Sequence, residues 1–363
     1  MSAAAEQVDI TVANPSVVDK YKVAGDIAQR VLEEIKKLAV PGASVYDLTT
    51  KGDELLAAEI SKVYNKKDFP KGIAFPTCIS VDDTVAYYSP LEGDESVTLA
   101  EGSVTKIELG AHIDGFASIV SDTVVVGGAP SQEVKDAIAA AYYATEAALR
   151  TMKPGNRTTD VTRIVDLVTK EFGVTALEGM LSMQHVQNNV CGKKRVIINP
   201  NDTQRKSHET QKFEENEVYG LDIIISTAGS TGKFKVKQTP TNIFRKTDLT
   251  YKLKLRSSRL AISEVIKKAG TFPFNVKILE DQRRSRLALK EPVDHGLVDG
   301  YEVDYEREGK PVVQLFTTFA ITKNGILKFA SPQKPNLEGV KAIENEELKT
   351  LLSTSLKASK SKK

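Results

Sequence analysis

The stretches PGASVYDLT (Pro41 to Thr49) and PGNRTTDVT (Pro154 to Thr162) lie 113 residues apart and agree at the Pro, the Gly, an Asp, an apolar residue and a Thr. A second pair follows at almost the same shift: Glu108 in KIELG and Asp222 in GLDII are 114 apart. Self-similarity at a fixed period constrains the fold strongly, because each copy must fold alike and pack on its neighbour. Each copy here reads as a helix, a Pro-Gly turn, a second helix, and then strands that place one acid inside an apolar run. Two halves related by a pseudo-twofold axis set Glu108 and Asp222 facing each other. Buried carboxylates are costly unless paired, hydrogen-bonded or bound to metal, so this pair marks a metal site or the remains of one.

Local signals fill in the elements. Asn14-Pro15 is an N-cap followed by Pro at the first helical position, and Tyr21, Ala24, Ala28, Val31, Ile35 and Leu38 keep helical spacing up to Pro41-Gly42. A second helix is predicted from about Val45 to Tyr64. IAFPTCISVDD, TVAYYS and SVTKIELGAHIDGFASIVSDTVVVG read as strands, the last turning at Asp114-Gly115. Helices follow at about Gln132 to Met152 and Asp160 to Phe172. The last third shows a Lys/Arg-rich loop, a helix at about Ser257 to Lys268, the stretch RRSRLALKEPVDHGLV, and strands VVQLFTTFAIT and GILKFAS joined by Asn324-Gly325. A short helix at about Asn345 to Leu356 and the tail LKASKSKK close the chain. The expected organisation is a flexible N-terminus (1–13), one α+β domain (14–335) of two pseudosymmetric α/β halves (about 14–128 and 130–335), a C-terminal segment (336–356), and a disordered Lys-rich tail (357–363).

Two cysteines, Cys78 and Cys191, exclude a disulfide framework or a Cys-rich zinc site. No apolar run approaches the ~18 residues of a membrane span, and the N-terminus lacks a basic region followed by an apolar one. A soluble intracellular protein is expected. The net charge is +2, but Thr231 to Gly270 holds eleven basic residues and two acids, an excess of nine, so the remainder carries −7. Lys233, Lys235, Lys237, Arg245, Lys246, Lys252, Lys254, Arg256 and Arg259 belong to this segment. Lys193, Lys194 and Arg195 lie in a second basic loop, CGKKRVIINPNDTQRK. Such a segment suits a polyanion, because phosphate neutralisation with counterion release is strong and independent of sequence; the plainer alternative is a solvated helix face and a charged hairpin.

AFPTCISVDDTVAYYSP, KIELGAHIDG, EGMLSMQ and EVYGLDI, in this order and at these separations, resemble type II methionine aminopeptidases, which have the pita-bread fold of two pseudosymmetric halves. EGMLS, TFPFNVKILED and ELKTLL are closer to a non-catalytic branch of that fold, the proliferation-associated or ErbB-receptor-binding family, which includes a fungal curved-DNA-binding protein. The resemblance runs from about Asn14 to Leu356. It implies that the peptidase metal-ligand positions fall on Glu108, Ile119, Met183, Asp222 and Phe316, and the substrate-side His on Tyr87. Three of these five ligand positions are apolar or thioether, and a dinuclear hydrolase needs several oxygen ligands and an imidazole to activate water between its metals. No metal or other cofactor is therefore expected, and no aminopeptidase activity. His112, beside a hairpin turn, and His185, at the start of a polar loop, are read as structural. Glu108 and Asp222 are read as inherited acids satisfied by hydrogen bonds or water.

Function must then lie in surfaces. The resemblance implies an adaptor that associates with rRNA and the large ribosomal subunit, or with curved DNA, in cytoplasm and nucleus. The basic loops agree with phosphate and shape recognition rather than base readout, since no helix-turn-helix, zinc finger or aromatic platform is visible. LKTLL places Leu348, Leu351 and Leu352 in an LxxLL pattern that can enter a partner's groove, or simply pack on its own domain. The alternatives are a residual metal-dependent aminopeptidase or a binder of nascent-peptide N-termini. No self-association surface is visible, and a monomer is the expectation.

Overall fold

Asn14 begins the first helix as its sequence predicts. Its side chain accepts from Ser16 N at 3.0 Å and Pro15 opens α1 (Pro15–Leu38). The structure, a computed structural model, describes residues 9–229 and 232–358. Residues 9–13, expected to be flexible, are held: Asp9 accepts from Thr11 N, Asn14 Nδ2 donates to Asp9 O, and Val12 is buried against Tyr21 and Phe329. Helix α2 (Val45–Ser61) follows the Pro-Gly turn, capped by Ser44. Strands β1 (Lys71–Val81), β2 (Val104–Ile113) and β3 (Phe116–Val125) complete this half, and Asp114 and Gly115 both take positive φ in the β2–β3 turn.

The second half repeats the order. Helices α3 (Gln132–Thr151) and α4 (Thr158–Phe172) precede β4 (Thr175–Ala176), β5 (Met180–His185), β6 (Arg195–Ile198), the short α5 (Asp202–Ser207) and β7 (Glu217–Ser226). An inserted segment holds β8 (Phe234–Val236), β9 (Ile243–Lys246), α6 (Arg256–Lys268), β10 (Phe274–Asn275), α7 (Gln282–Asp294), β11 (Val298–Tyr301) and β12 (Asp304–Glu306). The chain then returns to the main sheet as β13 (Val312–Thr322) and β14 (Gly325–Ala330) and ends on α8 (Glu346–Ser353).

Nine strands form the main sheet in the order β1-β2-β3-β13-β7-β5-β6, with β14 on β13 and β4 on β7. Apolar residues of α1 and α2 pack against β1 to β3, and those of α3 and α4 against β7 and β13. The two halves meet where β3 faces β13. That seam has a single strand bridge, Phe316 to Ser121, flanked by two threonines that insert their hydroxyls between the backbones. Thr318 Oγ1 donates to Ile119 O and accepts from Ile119 N; Thr123 Oγ1 donates to Gln314 O and accepts from Gln314 N. The four bonds span 2.7 to 2.9 Å and are themselves arranged with twofold character.

The Lys/Arg-rich loop expected after β7 is more ordered than its sequence suggests. Lys233 to Lys237 flank an edge strand on β12, and Arg245 and Lys246 belong to β9, the middle strand of a three-stranded sheet with β10 and β11. Helix α7 forms from RRSRLALKEPVD although Arg and Lys hide its period; Ser285, Ala288, Leu289 and Pro292 are buried on its inner face. The C-terminal segment lies on α3 and α4. Leu348 is fully buried there and Leu351 and Leu352 are half-buried, so the LxxLL residues pack on their own domain rather than offering a face to a partner. Lys357 pairs with Gly325, so the expected disordered tail begins pinned; residues 359–363 lie outside the described residues. No helix among the described residues is long and apolar enough to cross a membrane.

Candidate functional site

Sheet register decides what the repeated acids can do. Glu108 on β2 pairs with Ser121, Ser121 with Phe316, and Phe316 with Asp222 on β7, so these four residues form one row across the seam and share a face. Residues two positions along each strand share that face as well. This brings in Ile119, Gly110, Gly220 and, from β13, Gln314. The facing acids expected from the repeat are thus present, and one neutral side chain joins them.

Gln314 is that side chain. Its Nε2 donates to Glu108 Oε2 at 3.2 Å and to Asp222 Oδ1 at 3.0 Å, and its Oε1 accepts from Ser121 at 3.2 Å. A primary amide has two N–H donors and one carbonyl, so a single side chain can join both halves of the repeat. Asp222 is held further by Ser182 of β5, whose hydroxyl accepts from Asp222 N and donates to Asp222 O. Both carboxyls are 3% exposed. Burial pushes Asp222 up to about 7; burial and then the Asp222 charge raise Glu108 well above the carboxylate range. Such a pair holds a proton more tightly than exposed carboxyls do.

The remaining ligand positions converge on the same face with the wrong chemistry. Ile119 and Phe316 pack in one apolar cluster with Phe75, Cys78 and Phe272. The Phe316 ring covers Gly220, the pairing partner of Met183, leaving no room for even a Cβ. Tyr87 follows β1 in a left-handed conformation, φ 65°, rare for a residue with a side chain. It packs edge-on to Tyr301 of β11 (5.1 Å between centroids), and Phe75 meets both rings. Burial, with the charges of Glu108 and Asp222, holds the Tyr87 phenol well above its ordinary range. His112 stacks on Phe272, and burial lowers both it and His185 to about 4, leaving neutral imidazoles. Among the described residues no group of three or more His, Cys, Asp or Glu side chains could hold a metal ion. Two carboxyls bridged by an amide, with Ile119, Phe316 and Met183 at the other ligand positions and Tyr87 at that of the substrate-side His, do not fit a dinuclear metal centre.

Gln314 and Ser121 were not recognised in the sequence. The available signal was spacing: each lies two residues from a ligand position on a strand, Gln314 from Phe316 and Ser121 from Ile119, and so must face the same way.

The basic residues form no single cluster of free charge. Lys194 is bound to Glu217 and Glu214, Lys237 to Asp83 and over the Tyr305 ring, and Arg245 to Asp299. Lys246 Nζ donates to Thr247 O, and Lys235 Nζ to Arg307 O. Lys193, Arg195 and Lys233 are exposed. Lys252, Lys254, Arg256 and Arg259 are also exposed, follow one another into α6, and make no ion pair among the described residues. The α7 residue Glu291 accepts from Lys254 N and Leu255 N, capping the start of α6 from outside its own sequence. Arg259 Nη1 donates to Leu253 O and Lys254 O, folding the loop onto the helix. Arg286 of α7 is bidentate to Asp94, anchoring this platform to the main body.

Comparison with known proteins agrees with the architecture. The profile described as metallopeptidase family M24 matches residues 19–232. The curved DNA-binding protein of Schizosaccharomyces pombe is 45% identical over 98% of this chain and 94% of its own length. Proliferation-associated protein A of Dictyostelium discoideum is 37% identical over 96% and 91%. The structure of a thermophilic Arx1 superposes with a TM-score of 0.89 at 34% identity, covering 95% of this chain and all of that one. A methionine aminopeptidase of Thermotoga maritima, at 16% identity and a TM-score of 0.59 over 89% of this chain and all of that one, shares the pita-bread fold. The chain belongs to metallopeptidase family M24, in its proliferation-associated and ErbB-receptor-binding branch.

Proposed function

We propose that this chain is a non-enzymatic pita-bread adaptor that docks on the phosphate backbone of folded nucleic acid, with rRNA of the large ribosomal subunit as the expected partner and curved DNA as the alternative. The observation that carries this reading is the run Lys252, Lys254, Arg256 and Arg259: four exposed cations without acidic partners, displayed by a platform that Glu291 and Arg286 hold in place. Cations that face solvent on a fixed surface bind phosphates and release counterions without any base-reading motif. The name of the S. pombe relative, a curved DNA-binding protein, supports a nucleic-acid partner. A cytoplasmic and nuclear location follows from such a partner.

The test is co-sedimentation of the full chain with large ribosomal subunits at low and high salt, and with A-tract DNA, beside the variant K252E/K254E/R256E/R259E. Binding that falls with salt and is lost in the variant is expected, with circular dichroism showing that the variant remains folded. Binding that survives the reversal in a folded variant would overturn the assigned surface, and no binding to either polyanion would overturn the function.

A further inference from the structure

Away from the basic platform, a groove of about 570 Å³ separates the end of α3 from the β13–β14 hairpin and the chain that follows α8. Its floor is apolar: Leu149, Met152, Ile321, Ile326 and Leu356. The C-terminal wall is fixed by backbone. Ile326 N donates to Leu356 O at 2.9 Å, Ala358 N donates to Asn324 O at 2.9 Å, and Lys357 bridges Gly325. A Cβ on Gly325, at φ 104°, would overlap the Leu356 carbonyl, so glycine permits this close approach. The groove is therefore formed before any ligand arrives, and its volume falls in the range of pockets that hold drug-sized ligands, about 300–1,000 Å³.

Charge at the rim is predominantly positive. Lys153, Lys323 and Lys357 line the groove, are exposed, and make no ion pair among the described residues. Arg150 is engaged by Glu146 and Thr354 O, and Glu215 is the lone acid of the lining. An apolar floor beneath three unneutralised ammonium groups selects a molecule with an apolar body and an anionic head. We infer that this groove binds an aliphatic carboxylate, its chain on the floor and its head among Lys153, Lys323 and Lys357. Burying each methylene is favourable, so the chain supplies affinity. Exposed ion pairs contribute little apiece, so the lysines supply selectivity against neutral and cationic congeners.

The sequence provides its own reporter. Of the four methionines, Met152 lines the groove, Met180 and Met183 lie in β5, and Met1 lies outside the described residues. The experiment is titration of the full chain, labelled with [13C-methyl]methionine, with decanoate, decanol, decylammonium and succinate. Decanoate is expected to shift the Met152 methyl to saturation while Met180 and Met183 stay in place, and succinate to shift none. Decanol and decylammonium should bind at least about tenfold more weakly, the combined worth of three weak ion pairs. K153E/K323E/K357E should lose at least that much affinity for decanoate, and S355W, which fills the groove from an exposed position, should abolish the shift. The inference is overturned if Met152 does not saturate, if the shift appears only at Met180 or Met183, if decylammonium binds as tightly as decanoate, or if both variants bind like wild type.

Discussion

The sheet centre and the inserted platform handle charge in opposite ways. Glu108 and Asp222 are buried, joined by one amide and screened by aromatic rings. Lys252, Lys254, Arg256 and Arg259 are exposed, and their side chains make no ion pair among the described residues. A buried acid must be satisfied where it stands, and here Gln314 gives each carboxyl one hydrogen bond while Ser121 holds the Gln314 amide and Ser182 the Asp222 backbone. An exposed cation needs no internal partner, so its freedom is information about what lies outside. The position that resembles catalytic machinery lacks a metal-ligand set among the described residues, and the proposed docking surface lies on a loop that resembles none.

The comparison would break most completely if the sheet centre still bound metal. Isothermal titration with manganese(II) or cobalt(II) is expected to show no saturating heat at the acid pair, and a test peptide is expected to keep its N-terminal methionine. Two ions per chain with methionine release would reverse the two regions' roles.

Gln314→Leu tests the amide bridge. It leaves two buried carboxyls without their shared donor, a loss of about 3 kcal/mol by urea unfolding, since bonds to acids in the interior count for more than average. A change below about 0.5 kcal/mol, the noise of surface substitutions, would show that the bridge is incidental. The pH dependence sharpens the same point. Asp222 titrates near 7 in the fold against an ordinary value of 3.8, so the native state keeps a proton that the unfolded chain releases between about pH 4 and 7. Its contribution is most favourable at low pH and declines as pH rises through that window. Asp222→Asn removes this decline, and the variant should gain on wild type by up to about 1.4 kcal/mol per pH unit there. A stability difference that does not vary with pH would contradict the raised value. The smallest expected effect belongs to Lys237→Gln, because that ammonium is already engaged by Asp83 and Tyr305. Nucleic-acid affinity should change by less than about threefold, the scale of a partly neutralised surface charge. A tenfold loss would mean that Lys237 leaves Asp83 for phosphate.

Much of the centre was legible from the sequence because it rests on periodicity. The offsets linking Glu108 to Asp222 and Pro41 to Pro154 implied two matched halves, and strand alternation turned the acids inward. Gln314 escaped notice because its role depends on β13 lying between β3 and β7, a long-range pairing that no local spacing reveals. The platform was harder still. The cap on α6 comes from Glu291, more than thirty residues downstream, and α7 has a polar outer face that obscures its period. Charge itself was visible, but not which charges were free. Lys194, Lys237 and Arg245 look like Lys252 in a sequence and differ only through the acids that the fold brings to them.

The most direct measurement is the salt dependence of binding to large ribosomal subunits, for wild type and for K252E/K254E/R256E/R259E. A plot of log affinity against log salt should be linear, and removing four phosphate contacts should flatten its slope by roughly 3 to 4 units, at about 0.7 to 0.9 per contact. Equal slopes for the two proteins would contradict the claim that this platform carries the docking.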